Sequence, residues 1–336
     1  MRFGQFLTGA AAAAAMLAST MAANAEPLKI RLAWIIPAAN IGPILFAKPG
    51  LAKNLGKTYV LEPVRFQGTP PMITALAVNE IDVGLLGFTS MGLAIQNAGM
   101  DDLRIFANEF ADGAKDHHSN EFMVRADSGI KSVADLKGKV LATNAAGSAV
   151  DVAMRAMLSK AGLQDKRDYT VVEAGFGAMK AMLLEKKVDL IPAAPPFHND
   201  AELRKNATVL FTQKDAMGPS ALGVWVAHAD FLKKNRAAMV DFLADAMVAT
   251  RWYLDPKNQD EAVKIASDFA KAPPALFSGW LFSQKDYFRD PNLALDVPSF
   301  QANLDLLREL GFQKDKIEIG KFIDASLTDE AAKRLQ

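Results

Sequence analysis

The chain has 336 residues, of which 38 are Lys or Arg, 38 are Asp or Glu, four are His and none is Cys. Half the residues are apolar and 23% are charged, an ordinary globular composition whose even charge balance offers no broad footprint for nucleic acid or an anionic membrane. The missing cysteines exclude disulfides, Cys-ligated zinc, iron–sulfur clusters, thiol nucleophiles and a lipid anchor on cysteine.

Residues 1–25 read as an export signal. Arg2 gives a positive start, an alanine-rich apolar stretch runs from Phe6 to Ala18, and Ala23 and Ala25 place small residues ahead of a cleavage expected before Glu26. The apolar run is shorter than the ~20 residues of a spanning helix. The expected mature protein is therefore exported, to a bacterial periplasm, without a membrane anchor. At ~150 residues per domain, the mature chain is long enough for about two domains.

Strand and helix signals then alternate, the pattern of an α/β architecture. Residues 28–34 alternate Ile and Leu with Lys and Arg, a first strand. Residues 37–43 form a loop, and 44–55 a short helix interrupted by Pro49-Gly50. Residues 59–66 make a second strand. Thr69-Pro70-Pro71 opens a helix, with Thr as N-cap and Pro in the first turn. Residues 81–86 are a near-continuous apolar strand of the kind buried on both faces.

From Glu121 the pattern restarts. Strands are expected at 122–125, 140–143, 169–173 and 188–191, and a short helix at 133–136. Gly147-Ser148 precedes a helix that puts Val150, Met154, Met157, Leu158 and Ala161 on one stripe. The last third is mainly helical, with a stripe of Met239, Phe242, Leu243, Ala246 and Met247 and further helices at 261–269 and 300–310. It is expected to pack back on the first lobe.

One internal repeat carries more information than any single motif. Gly68 lies 14 residues before Asp82, and Gly175 lies 14 residues before Asp189. Each copy reads strand, glycine loop, helix, acidic turn, apolar strand. The simplest explanation is two similar α/β lobes.

Several segments resemble the periplasmic solute-binding proteins of ABC importers, in the branch of aliphatic sulfonate, taurine and nitrate binders and their thiamine-pyrimidine-precursor relatives. They are Gly68-Thr69-Pro70, Glu80-Ile81-Asp82-Val83, residues 127–139, Ala161-Gly162-Leu163 and Val188-Asp189. The resemblance implies a type II periplasmic-binding-protein fold, with two lobes, a mixed and mainly parallel sheet flanked by helices in each, and two crossover strands. Residues 26–118 plus 220–336 would form the first lobe and 119–219 the second, with crossings near 119–124 and 220–227. A small-molecule solute would sit in the cleft and pass to a membrane permease. A monomer is implied, and no cofactor, metal or nucleic acid.

In open α/β sheets, ligands bind where strand ends lead into helix N-termini. Here those places hold Trp34 and Asn40; Gly68 and Thr69; Phe88, Thr89 and Ser90; Asn144 and Ser148; Gly175 and Phe176; and Phe197 after Pro195-Pro196. Asn120 lies at the first crossing. Glycines admit the ligand, hydroxyls donate to it, and helix N-termini favour an anion. Each residue has a plainer alternative. Thr69 and Ser148 serve equally as N-caps, and the aromatic residues as core. No Arg or Lys falls in these loops, which weighs against nitrate and toward sulfonates and organic or aromatic carboxylates.

His117-His118 lacks metal-ligand spacing, since adjacent side chains on a strand point apart and no third ligand is near. His198 and His228 read as structural. Catalysis is not expected, because no Gly-x-Ser-x-Gly, HExxH or phosphate loop appears. The resemblance adds that the pyrimidine-synthesising relatives use cysteines that this chain lacks. An exported sensor on the same scaffold is the remaining alternative.

Overall fold

A computed structural model describes residues 26–336, so the expected export signal lies outside the described residues. Strand β1 (Leu28–Trp34) pairs in parallel with β2 (Tyr59–Arg65) along its full length. A bridge between Leu32 and Val83 joins this ladder to β3 (Gly84–Leu86). Strand β10 (Ser220–His228) runs antiparallel between β3 and β4 (Leu103–Asp112). The first lobe thus reads β2-β1-β3-β10-β4.

The second lobe holds β5 (Glu121–Arg125), β6 (Lys139–Thr143), β7 (Tyr169–Glu173), β8 (Leu190–Ala193) and β9 (Ala207–Thr212), in the order β7-β6-β8-β5-β9. The two orders are the same succession: three parallel strands, one antiparallel strand that arrives from the other lobe, and a fifth. The inner strands β3 and β8 are buried throughout, as sheets covered on both faces require.

The internal repeat has a structural meaning. Each copy holds one helix, Thr69–Ala77 and Phe176–Leu184, capped by Gly68 and Gly175. Each helix is followed by a left-handed residue, Asn79 at φ 55° and Lys186 at φ 63°. Each acidic residue then pins a neighbouring strand. The Asp82 carboxylate accepts the Arg31 N–H at 2.8 Å, and the Asp189 carboxylate accepts the Val140 N–H at 3.1 Å. These aspartates are architectural: they satisfy backbone donors of the adjacent strand.

The C-terminal part closes the first lobe. Met239, Phe242, Leu243, Ala246 and Met247 are fully buried along the Arg236–Leu254 helix, as the 3.6-residue stripe predicts. Ala111 of β4 and Phe288 exchange backbone hydrogen bonds at 2.9 and 3.1 Å, tying the tail to the sheet.

Two expectations need correction. Residues 44–55 do not form a helix; a single 3-10 turn at Gly42–Ile44 gives way to turns and bends. Pro49 cannot continue a helix, and Gly50 turns the chain at φ 85°. Asp245 then captures the N–H groups of Lys53 at 3.1 Å and Asn54 at 2.9 Å, donors a helix would use internally. Strands β4 and β9 form where the sequence pattern announces none. In β4 the polar Asn108, Glu109 and Asp112 mask a strand that is buried at every residue except Arg104.

Candidate functional site

Strand ends from both lobes converge on a narrow chamber of about 50 Å³. Its wall joins the loop after β1 (Ile35, Ile36, Ala39, Asn40), Thr69, Leu85, Phe110, Asn120, Asn144, Ser148, Phe176, Leu222 and Tyr287. Apolar side chains dominate it. A wider mouth of about 340 Å³ shares Ile35, Ile36 and Phe176 with the chamber and adds Arg65, Gln67, Gly175, Gly177 and Phe197.

The Asn40 loop is held from behind. The Asn40 Oδ1 accepts the N–H groups of Ile35 and Ile36, both at 2.7 Å. Its amide nitrogen makes no hydrogen bond among the described residues. Glu109 of β4 accepts the Ile41 N–H at 2.7 Å and the Trp225 Nε1–H at 2.6 Å. Arg289, 3% exposed, donates to the Ala39 carbonyl at 2.7 Å and lies over the Phe110 ring. Burial pushes the Glu109 carboxyl up, and the charge of Arg289 opposes it.

The floor is aromatic. Phe110 and Tyr287 stack with centroids 4.8 Å apart at 26°. The Tyr287 hydroxyl donates to Asn120 Oδ1, whose amide donates in turn to Gln213 at 3.1 Å. On the far wall Ser148 donates to Asn144 Oδ1 at 2.8 Å and caps its own helix by accepting the Asp151 N–H at 3.2 Å. Most polar groups of the chamber are thus committed within the protein.

The two lobes close on each other at Gly68. A Cβ there would meet Ala145 Cβ at 2.8 Å and Asn144 Nδ2 at 3.0 Å. Gln67 donates to the Asn144 carbonyl at 3.1 Å across the same seam. The mouth offers unclaimed donors instead. The Phe176–Leu184 helix has no side-chain cap, and its Phe176 and Gly177 N–H groups make no hydrogen bond among the described residues, whereas the Ala178 N–H donates to the Gly175 carbonyl at 2.9 Å; the positive end of the helix dipole lies there.

Of the residues singled out from the sequence, Asn40, Thr69, Asn120, Asn144, Ser148 and Phe176 meet in the chamber, and Gly175 and Phe197 in the mouth. Gly68 stands at the seam. The others lie elsewhere. Trp34 sits under the Arg65 guanidinium at 5.2 Å and against Phe269. Phe88 is fully buried core. Thr89 lines a separate groove with Gly92, Asp151 and Gln313. Ser90 is buried and hydrogen-bonded to Thr69.

No Arg or Lys falls in the predicted loops, but Arg65 reaches the mouth from outside them. A strand over 59–66 would hold that arginine in its interior, whereas β2 ends on it. Phe110 and Tyr287 carry no signal in the sequence. The first lies in the masked β4, and the second is 177 positions further along the chain and reaches the site only through folding.

The family model described as NMT1-like matches residues 23–267. The chain belongs to the NMT1-like family. No curated protein matches it by sequence. Among solved structures, the alkanesulfonate-binding protein SsuA from Xanthomonas axonopodis pv. citri, bound to MOPS, is similar at a TM-score of 0.69 and 20% identity, over 89% of this chain and 99% of its own. The periplasmic nitrate-binding protein NrtA from Synechocystis PCC 6803 is similar at 0.71 and 17%, over 93% and 90%. The desulfurization enzyme DSZB is similar at 0.64 and 12%, over 93% and 100%. The NMT1-like chain therefore has the two-lobe type II fold of periplasmic binding proteins, a scaffold on which these three proteins carry different functions.

Proposed function

We propose that this NMT1-like protein is the solute-binding component of an ABC importer, holding a small organic anion such as an aliphatic sulfonate or a carboxylate between lobes formed by residues 26–118 plus 220–336 and 119–219. It would work in the periplasm as a monomer and deliver its solute to a membrane permease. One observation carries the reading: a narrow, mainly apolar chamber opens into a mouth where Arg65 and an uncapped helix N-terminus meet. A small apolar group fits the first and an anionic head the second. The similarity to an alkanesulfonate-binding protein supports the same class.

The stacked Phe110 and Tyr287 favour a second occupant, an aromatic acid or a pyrimidine precursor of thiamine. Binding without turnover is the reading for either, since the chamber brings together amides, hydroxyls and rings but no cysteine, and its hydroxyls are engaged within the protein, Thr69 with Ser90, Ser148 with Asn144 and Tyr287 with Asn120.

A thermal-shift screen of the mature protein against alkylsulfonates, aromatic carboxylates, pyrimidines and nitrate tests this. A solute at 100 times its Kd adds about 2.7 kcal/mol. Gly177→Pro removes one donor from the mouth helix, at a position in the first turn where Pro is tolerated. It should weaken an anionic solute by about fivefold, on the order of 1 kcal/mol, whereas Gly177→Ala should not. No shift with any sulfonate or carboxylate would overturn the anion reading, and recovery of a chemically altered solute would overturn the binding role.

A further inference from the structure

Beside the mouth, three rings stand in file across the lobes. The His198 ring lies 4.9 Å from Trp280 on one side and 4.4 Å from His118 on the other. Trp280 belongs to the C-terminal part that packs on the first sheet. His198 follows β8 of the second, one residue after Phe197 of the mouth. His118 lies in the link between β4 and β5, and its ring is 5.8 Å from Tyr287 of the chamber floor. The Leu276 carbonyl accepts from Trp280 Nε1 at 2.7 Å and from Asn199 Nδ2 at 3.5 Å, a second contact between the same two segments.

Neither imidazole is tied down. The His118 Nε2 and His198 Nδ1 are buried without a hydrogen-bond partner among the described residues. The charged groups around them are occupied with one another. Arg204 pairs with Glu121 of β5 at 2.7 Å. On the His118 side, His117 Nδ1 is 3.1 Å from the Asp286 carbonyl, and the Asp286 carboxylate faces Arg289 at 3.7 Å. Asp112 is engaged by Ser119 at 2.6 Å and the Asn120 N–H at 2.7 Å. Among the described residues, no carboxylate accepts from either imidazole.

We propose that His118 and His198 form an acid-sensitive latch, in which the neutral pair packed on Trp280 holds the lobes closed and protonation of either ring drives them apart. The face of Trp280 would welcome a cation. Desolvation wins over that attraction, because each ring is buried beside the other and beside Arg204. Burial first, then the Arg204 charge, lowers His118 to about 4. Burial, the neighbouring His118 and Arg204 lower His198 to about 2.

Opening returns both rings to water, where histidine titrates near ~6.5. Proton uptake therefore accompanies opening: the closed state is fully favoured above that value and is lost progressively as pH falls below it. Between about pH 7.5 and about pH 5, the closing equilibrium should fall roughly 30-fold for each histidine. This goes beyond the solute assignment and does not depend on which solute binds.

The cysteine-free chain allows a direct test. Two cysteines introduced at exposed positions, Lys264→Cys in the first lobe and Lys187→Cys in the second, carry spin labels whose separation reports closure without added solute. The closed fraction should be larger, and the mean separation shorter, near pH 7.5 than near pH 5. His198→Phe and His118→Phe should each remove part of the shift, and the double variant should show the same separation at both pH values. Where a phenylalanine variant fails to fold, the His→Gln variant gives the same reading, since Gln does not titrate. A separation that is unchanged between the two pH values, or a shift that survives in the double variant, would overturn the latch.

Discussion

Gly68 and Gly175 begin equivalent helices in equivalent lobes, yet they meet opposite surroundings. Gly68 is pressed against Ala145 and Asn144 of the other lobe, whereas a Cβ at Gly175 would meet nothing within 4 Å. The helices they cap also differ chemically. Pro70 and Pro71 remove two of the first N–H groups after Gly68, while the turn after Gly175 keeps its donors. Duplicated backbone thus serves two ends. The first-lobe copy packs against the other lobe, and the second-lobe copy keeps backbone donors at the mouth.

The largest loss of folding stability should appear at the paired aspartates. Asp82 accepts from the Arg31 backbone at 2.8 Å and from its guanidinium at 2.9 and 2.7 Å, whereas among the described residues the Asp189 carboxylate accepts from the Val140 N–H alone. Asp82→Ala should cost about 2–3 kcal/mol in urea unfolding and Asp189→Ala about 1 kcal/mol. Equal losses would mean that the arginine adds nothing.

Next comes the seam. Gly68→Leu forces the lobes apart at a cost of about 1–3 kcal/mol. It should weaken solute binding by about 10- to 100-fold by calorimetry, with the urea midpoint little changed. Gly175→Ala should leave both unchanged. A Gly175 variant as damaging as the Gly68 one would erase the contrast between the lobes.

The smallest effect belongs to the residues that end the two helices. Lys186 holds a left-handed conformation that Asn79 tolerates better. Lys186→Gly should gain about 0.5–1 kcal/mol and Asn79→Gly less, visible as a higher thermal midpoint for the first only.

Much of this was legible along the chain. The alternation in β1 and the apolar runs of β6 and β8 announced themselves because their burial pattern is set by local periodicity. The amide and hydroxyl residues of the chamber were legible because strand ends leading into helices are where such sheets open. Strand β4 was hidden by its own polar residues: Glu109 is tolerated there only because Trp225 and Ile41 donate to it, and Asp112 only because Ser119 and Asn120 do. The long-range partners, Trp225 above all, are not predictable from spacing. Arg289 and Tyr287 were invisible for the same reason.

The duplicated α/β plan, its equivalent strand-to-helix turns and the family resemblance are all written in residues that lie close together along the chain, so the linear order of side chains was enough to dictate them. Folding settled the rest: which copy of a turn faces the other lobe, which polar side chains remain uncommitted, and which distant aromatic residues form the floor. Those outcomes depend on contacts between segments far apart in the chain, and no local pattern encodes them.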